Sequence, residues 1–299
     1  MSDWLGLIRF SHTLFALPFA ILAMVMAYAT ALPDGSTATV RLVEIVGVLL
    51  CMVTARNAAM AFNRLVDRHL DAENPRTAQR HIPAGKLKAS AVGLFTACNA
   101  AAFIASTLLF LPNWVPLIGA VPVLGILLGY SLAKRFTSSA HLWLGISLSL
   151  SPVCAWLAVR GPISLQNPSD LMTPVLLAFA VAAWVNGFDI IYACQDAEFD
   201  RQAKLHSVPA RFGVAGALKI AAASHGMMLL FLAIIPWSTP NVGFGWLYGV
   251  TFVLISILVV RQHWLVRPDD LGRVGEAFFQ TNVAISVLLM CLGSIDSLV

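Results

Sequence analysis

The sequence predicts an all-α integral membrane protein that forms one domain over residues 1–299 and contains about nine transmembrane helices. The chain is 59% hydrophobic and only 11% charged, and its mean hydropathy is +0.80. A soluble domain carries roughly 25% charged residues, so most of this surface must face lipid. The apolar residues form successive runs of about 20, the length that a helix needs to cross a bilayer. No break between these runs holds an insert of the size of a soluble domain.

Candidate spans lie near residues 12–32, 40–62, 89–111, 114–133, 139–159, 171–190, 213–236, 243–262 and 276–298. We interpret the first run as a retained helix rather than a signal peptide, because it is long enough to span and further spans follow. Turn residues mark several breaks, including Arg160-Gly161-Pro162 and the segment 238–243. No strand pattern competes, and lipid permits only helices or closed barrels.

Basic residues are concentrated in the loops on one side of this topology. The largest group is Arg64, Arg68, Arg76, Arg80, Lys86 and Lys88, whereas the other side holds Arg41 and Arg160. The positive-inside rule therefore places the N-terminus and the basic loops in the cytoplasm, and we expect a multi-pass protein of a bacterial-type inner membrane. The basic residues form no continuous stripe, so the expected partner is the lipid bilayer and not nucleic acid. The five cysteines are widely separated and predict neither a disulfide framework nor a zinc site.

Two polar segments, 63–88 and 189–212, each begin at the cytoplasmic end of a predicted span. Of the 15 acidic residues, seven fall in them: Asp67, Asp71, Glu73, Asp189, Asp196, Glu198 and Asp200. In the first segment Asn63, Asp67 and Asp71 are spaced by four residues, so they share one helix face. Arg56 lies two turns earlier on nearly the same face.

In the second segment Asp189, Tyr192, Asp196 and Asp200 stay within about 80° of one another on a helical wheel. Glu198 falls on the far side and is expected to be solvated. Carboxylates at this spacing repel one another, so a cation should hold them. Hard oxygen ligands favour Mg²⁺ or Ca²⁺ over zinc. Mg²⁺ typically takes one or two carboxylates, several waters and substrate phosphate oxygens. A solvated, salt-bridged helix end is the alternative for either segment alone, but two matched segments on one side favour two metal sites that share a diphosphate.

These motifs resemble the paired signatures of the UbiA superfamily of membrane prenyltransferases. The resemblance is carried by Asn63-x-x-x-Asp67-x-x-x-Asp71 and by Asp189-x-x-Tyr192-x-x-x-Asp196-x-x-x-Asp200. It extends to Arg56, Arg76-Thr77, Arg80, Pro83-Ala84-Gly85, the run from Tyr130 to Thr137, Ser207 and Arg211-Phe212-Gly213. Together these elements cover most of the predicted cytoplasmic loops.

The resemblance implies nine helices around a central cavity that opens laterally to lipid. It implies transfer of a polyprenyl chain from an isoprenyl diphosphate to an acceptor, usually an aromatic ring. Asn63, Asp67, Asp71, Asp196 and Asp200 would bind Mg²⁺. Arg56, Arg68, Lys134, Arg135 and Lys204 would bind the diphosphate. Asp189 or Tyr192 would orient or deprotonate the acceptor.

The acceptor stays open between 4-hydroxybenzoate and a dihydroxynaphthoate, for ubiquinone or menaquinone synthesis. His81 and His206 replace the proline and lysine usual in the 4-hydroxybenzoate enzymes, which is closer to relatives in the futalosine route to menaquinone. A UbiA-type enzyme acting on another acceptor, such as haem, is one alternative. A polytopic cation-coupled transporter is another, although such sites usually lie near the bilayer midplane.

Overall fold

The computed structural model describes residues 2–8, 15–32, 34–238 and 243–299. The α-helices in these ranges are α1 (Ser2–Ile8), α2 (Leu17–Ala29), α3 (Leu42–Val66), α4 (Arg68–Glu73), α5 (Ala89–Ser106), α6 (Val115–Ala133), α7 (Ala140–Gln166), α8 (Met172–Ala193), α9 (Ala197–Gln202), α10 (Val208–Ser238), α11 (Trp246–Trp264), α12 (Val274–Phe278) and α13 (Gln280–Asp296).

The predicted all-α membrane fold is confirmed. Eight helical segments of the described chain are long and apolar enough to cross a bilayer, from Leu42–Val66 to Val274–Asp296. The first predicted span corresponds to α2, a shorter apolar helix, and its predicted start at residues 12–14 lies outside the described residues. The predicted break at residues 239–242 lies outside them as well.

One predicted break is wrong, because α7 continues through Arg160-Gly161-Pro162 as far as Gln166. Proline has no backbone N–H, so the carbonyl of Ala158 loses its donor within the helix. The side-chain amide of Asn113 donates to the carbonyl oxygens of Leu157 and Ala158, at 2.8 and 3.1 Å. This substitute donor satisfies the carbonyl that Pro162 leaves without a helix donor, so the helix can continue.

Helix α8 lies at the centre of the bundle. It packs against α7 on one side and α10 on the other. In the most apolar stretch of its segment 56% of the residues are buried, against 17–44% in the other spans. A second group is formed by α3 with α5 and α6. The ends of α3 and α8 that carry the acidic segments belong to these two groups.

Two interruptions shape the end of the bundle that carries the acidic segments. Helix α3 ends at Asp67, which has φ −89° and ψ 1°, and α4 starts at the next residue. Helix α10 is broken at Gly213, whose φ of 71° is unfavourable for residues with a side chain. The short turn before this break carries Val208 towards the start of α7.

Candidate active site

A cavity of about 310 Å³ lies between the ends of α3 and α8. Its charged lining consists of the aspartates Asp67, Asp71, Asp189, Asp196 and Asp200 and the cations Arg56, Arg64, Arg76, Arg80 and Lys134. Asn63 and Tyr192 also line it. Glu73 and Glu198 do not line it and are exposed, consistent with their positions on the helical wheel.

The first acidic segment keeps its shared face across the bend at Asp67. The backbone N–H of Asp67 donates to the carbonyl of Asn63 at 3.0 Å, and that of Asp71 donates to the carbonyl of Asp67 at 2.8 Å. These bonds preserve the four-residue register although the helix is interrupted. All three side chains consequently point into one cavity.

Asp67 is only 2% exposed and lies among donors. Nζ of Lys134 lies 2.6 Å from its Oδ2, and the amide of Asn63 donates to the same oxygen at 3.2 Å. Arg135 lies at 3.3 Å from Oδ1. The carboxylate therefore joins the end of α3 to the loop that follows α6.

Asp71 pairs with Arg80, whose Nη1 lies 2.6 Å from Oδ1. The loop between them is held by Thr77, whose hydroxyl donates to the backbone carbonyl of Asp71 at 3.0 Å. The second carboxylate oxygen, Oδ2, is buried and has no hydrogen-bond partner among the described residues. A buried carboxylate oxygen without a donor is a position that a cation would satisfy.

The second acidic segment changes helix type within its motif. After α8, a 3₁₀ turn covers Cys194–Asp196 and α9 follows. Asp196 at this junction accepts from Nε of Arg76 at 2.8 Å and also pairs with its Nη2. Asn74 donates to the same carboxylate at 3.0 Å, and Nη1 of Arg76 donates to the Tyr192 hydroxyl at 3.0 Å. The loop after α4 therefore connects the two acidic segments.

Arg76 illustrates the electrostatic balance in this loop. Partial burial is the largest single effect and lowers the pKa of its guanidinium, but the interactions with Asp196 and Tyr192 together outweigh burial and raise that pKa above its usual value. The arginine is thus firmly charged while it bridges the two acidic segments.

Asp189 has a different kind of partner. Nδ1 of His141, near the start of α7, lies 2.7 Å from its Oδ2. Both side chains line the cavity, as does Asp200 next to Ser207. His141 was not singled out from the sequence; the available signal was an isolated histidine at the start of an apolar span.

The five cations predicted to bind diphosphate lie in different places. Arg56 and Lys134 line the cavity, whereas Arg68, Arg135 and Lys204 do not. Arg68 donates to the carbonyl of Leu65 at 2.9 Å, Arg135 donates to the carbonyl of Val66 at 2.7 Å, and Lys204 is exposed. Arg76 and Arg80, noted in the sequence only as parts of a motif, take lining positions instead.

The two histidines linked to acceptor choice lie outside the lining. His81 sits with Nε2 at 4.0 Å from the carboxylate of Asp3. Burial lowers the pKa of His81, an effect that Asp3 partly opposes. His206 is exposed, and its backbone N–H donates to the carbonyl of Lys134 at 2.7 Å.

The other end of the cavity is apolar and aromatic. Phe15, Phe188 and Phe278 line it, and their ring centroids are 5.4–5.5 Å apart. The ring of Tyr192 lies 4.2 Å from that of Phe278, directly below its bond to Arg76. A charged end and an aromatic end therefore meet at Tyr192.

The donor set of the charged end fits Mg²⁺. Carboxylate and amide oxygens are its preferred protein ligands, and Oδ2 of Asp71 is buried without a donor in the described chain. Within the same residues no three His, Cys, Asp or Glu side chains converge on a single point. Mg²⁺ typically takes one or two carboxylates and completes its shell with water and phosphate oxygens.

Curated relatives share most of the chain. A 4-hydroxybenzoate octaprenyltransferase from Vibrio campbellii is 28% identical over 257 residues, covering 85% of this chain and 83% of the relative. A protoheme IX farnesyltransferase from Stenotrophomonas maltophilia is also 28% identical, over 243 residues, covering 80% and 79%.

Solved structures share the whole fold. The apo structure of a UbiA homologue from Aeropyrum pernix has a TM-score of 0.82 at 30% identity and covers 95% of this chain and 97% of that one. A UbiA homologue from Archaeoglobus fulgidus, bound to GPP and Mg²⁺, has a TM-score of 0.73 at 19% identity, with 99% of each chain covered. The profile of the UbiA prenyltransferase family matches residues 16–284. The chain therefore belongs to the UbiA prenyltransferase family.

Proposed function

We propose that this prenyltransferase moves a polyprenyl chain from an isoprenyl diphosphate to an aromatic acid, 4-hydroxybenzoate or a dihydroxynaphthoate, in quinone biosynthesis. The observation that carries the proposal is a single cavity with a charged end and an aromatic end. A diphosphate suits the first end and an allylic chain suits the second. The related structure with GPP and Mg²⁺ bound supports this assignment.

At the charged end, Asn63, Asp67, Asp71, Asp196 and Asp200 would hold Mg²⁺. The metal would supply charge neutralisation for the diphosphate as it leaves. Three of these carboxylates are now paired with Lys134, Arg80 and Arg76. When a metal takes the carboxylate oxygens, these cations become available to the phosphate oxygens. Lys134, Arg80 and Arg76 thus balance the charge of the aspartates when no prenyl diphosphate is bound, and the charge of the phosphate groups when it is.

At the aromatic end, the protein must protect an allylic cation from water. Phe15, Phe188 and Phe278 present apolar surface, and ring faces attract cations. Leu144 and Leu148 extend this wall along α7. Excluding water here prevents hydrolysis of the donor and leaves the ring carbon of the acceptor as the nucleophile.

The relatives do not separate an aromatic acid from haem as the acceptor. This chain is 28% identical both to the haem-modifying relative and to the 4-hydroxybenzoate relative. Sequence identity therefore favours neither acceptor. Membership of a prenyltransferase family argues against the transporter alternative. Because His81 and His206 lie outside the lining, neither supports a choice between the two aromatic acids.

Product analysis tests the proposal. The purified protein in lipid nanodiscs would receive geranyl diphosphate and Mg²⁺ in parallel reactions with 4-hydroxybenzoate and with 1,4-dihydroxy-6-naphthoate. Mass spectrometry should detect the acceptor with one hydrogen replaced by the prenyl group in at least one reaction. Asp67→Ala and Asp196→Ala should abolish turnover, and Glu198→Gln should not. Full turnover in both aspartate variants would overturn the assignment of the charged end.

A further inference from the structure

Among the aspartates in the described cavity wall, Asp189 is the one that pairs with an imidazole, the side chain of His141. His141 is 7% exposed, and its Nδ1 lies 2.7 Å from Oδ2 of Asp189. By contrast Asp67, Asp71 and Asp196 are each paired with a lysine or arginine. The pair at Asp189 therefore has a chemistry of its own within the cavity.

The backbone sets the tautomer of His141. The N–H of Val208 points to Nε2 at 3.4 Å, so Nε2 is the acceptor. The ring proton is then on Nδ1, where it is donated to Asp189. Val208 is the first residue of α10 and lies in the helical turn before the break at Gly213. One ring nitrogen is fixed by the main chain, and the other is directed at the carboxylate.

Asp189 is separated along its helix from Asp196. It precedes Asp196 by seven residues, which is about 10 Å along the helix axis at 1.5 Å per residue. Its neighbour in sequence, Phe188, belongs to the aromatic end, and Leu144 lies one turn after His141 in the same lining. Asp189 therefore lies where the lining passes from the charged end to the aromatic end.

We propose that His141 is a positioning residue that holds the Asp189 carboxylate as the hydrogen-bond acceptor for a hydroxyl group on the aromatic acceptor. This inference rests on the proposed function. The role of His141 is the new element, because an acceptor role for Asp189 already follows from the resemblance to the family. The imidazole satisfies Oδ2, which leaves the other oxygen of Asp189 for the substrate.

The step balances without any further reactant. The allylic C–O bond breaks first, with the electron pair leaving on the diphosphate. The hydroxyl proton then moves to Asp189 while the ring carbon forms its bond to the allylic cation. The ring carbon then loses its proton to the diphosphate, and Asp189 returns the hydroxyl proton to the ring oxygen. The enzyme ends in its starting state, and His141 keeps its proton throughout.

Three variants test this role in the same nanodisc assay, with geranyl diphosphate and whichever acceptor the wild type uses. His141→Leu removes the donor to Asp189 and should lower kcat/KM for the acceptor by about 10- to 100-fold. The KM for geranyl diphosphate should not change. His141→Asn places an amide N–H near the position of Nδ1 and should restore most of the loss. His69→Leu, at an exposed histidine outside the lining, serves as the control.

A double-mutant cycle separates positioning from packing. If His141 acts through Asp189, His141→Leu should cost little more once Asp189→Asn has removed the carboxylate. Additive losses, an unchanged kcat/KM for the acceptor in His141→Leu, or an equal loss in KM for geranyl diphosphate would each overturn the inference. A wild type that turns over neither acceptor would instead reject the proposed function, so the two failures are distinguishable. If His141→Leu does not fold, the contrast between His141→Asn and Asp189→Asn decides.

Discussion

Nζ of Lys134 lies 2.6 Å from Oδ2 of Asp67, so the residue that follows α6 pairs with the residue that ends α3. The carbonyl of Lys134 also accepts the backbone N–H of His206 at 2.7 Å. Lys134 therefore links the first acidic segment to the loop that closes the second. A residue with both contacts holds the two halves of the charged end at a fixed separation.

Lys134→Met should weaken binding of the prenyl diphosphate. A hydrogen bond to a charged group contributes about 1.5–3 kcal/mol, which corresponds to roughly 10- to 100-fold in KM for the donor. The backbone bond to His206 does not depend on this side chain, so the fold should persist. Steady-state kinetics with varied geranyl diphosphate measure the effect. Lys88→Met, at an exposed lysine outside the lining, is the control. An unchanged KM for the donor in Lys134→Met would contradict the role.

Asp71→Asn should raise the Mg²⁺ concentration that gives half-maximal activity. Oδ2 of Asp71 is buried and has no protein donor among the described residues, and an amide lacks the charge that a metal needs there. We expect a rise of about tenfold or more, since loss of a metal-site contact typically costs 10–100-fold. Titration of activity with MgCl₂ after EDTA treatment measures it. Glu73→Gln, exposed at the end of the same helix, should titrate like the wild type.

Helical periodicity predicted a shared face for three residues, and the structure brings them to one cavity for a definite reason. Asn63, Asp67 and Asp71 reach one cavity because their i to i+4 backbone bonds survive the bend between α3 and α4. Helical periodicity predicts which residues share a face wherever those backbone bonds persist. The same periodicity separated Glu198 from the acids that line the cavity.

The partners of the acids could not be predicted in this way. Arg76 and Arg80 lie in a non-helical loop, where no period relates one side chain to the next. The bond from Arg76 to Asp196 joins residues 120 positions apart, and it depends on how two loops pack. His141 was missed for the same reason, since its partner lies 48 residues away on another helix.

Arg160→Met should destabilise the protein without changing its kinetic constants. Arg160 is 2% exposed, and it bonds Asp170 at 2.7 Å and the carbonyl of Thr30, just after α2, at 2.8 Å. Breaking a buried ion pair by removing one partner costs about 3–5 kcal/mol. We expect a lower midpoint of thermal unfolding, measured in nanodiscs by tryptophan fluorescence, and normal turnover at low temperature.

The matched control for that variant is Arg201→Met. Arg201 forms an exposed ion pair with Glu198, and such pairs contribute about 0–1 kcal/mol. The double variant Arg160→Met with Asp170→Asn should recover part of the lost stability, because it no longer leaves a buried charge unpaired. Equal unfolding temperatures for Arg160→Met and Arg201→Met would show that the buried pair contributes no more than the exposed one.

Gly145→Ala should disturb both packing and catalysis, because Gly145 lies where α7 and α8 touch. A Cβ at this position would lie 2.5 Å from the carbonyl oxygen of Ala182. Small residues let membrane helices approach closely, and the rigid backbone of α8 cannot move aside locally. Gly145 follows His141 by four residues on α7, and Ala182 precedes Asp189 by seven residues on α8. The contact between Gly145 and Ala182 and the contact between His141 and Asp189 therefore lie along the same α7–α8 interface. Separating the helices at Gly145 should therefore lengthen the bond between His141 and Asp189.

We expect Gly145→Ala to lower the unfolding temperature and to reduce kcat/KM for the acceptor by about tenfold, the lower end of the loss expected for a disturbed positioning contact. Gly125→Ala on α6 adds the same methyl group where a Cβ meets no atom within 4 Å, and it should leave both quantities unchanged. The comparison isolates the helix contact from any general effect of replacing glycine in a membrane helix. If Gly145→Ala behaves like Gly125→Ala, the α7–α8 contact does not control the geometry of the acceptor end. A loss of stability with an unchanged kcat/KM for the acceptor would instead mean that the two helices separate without moving His141 from Asp189.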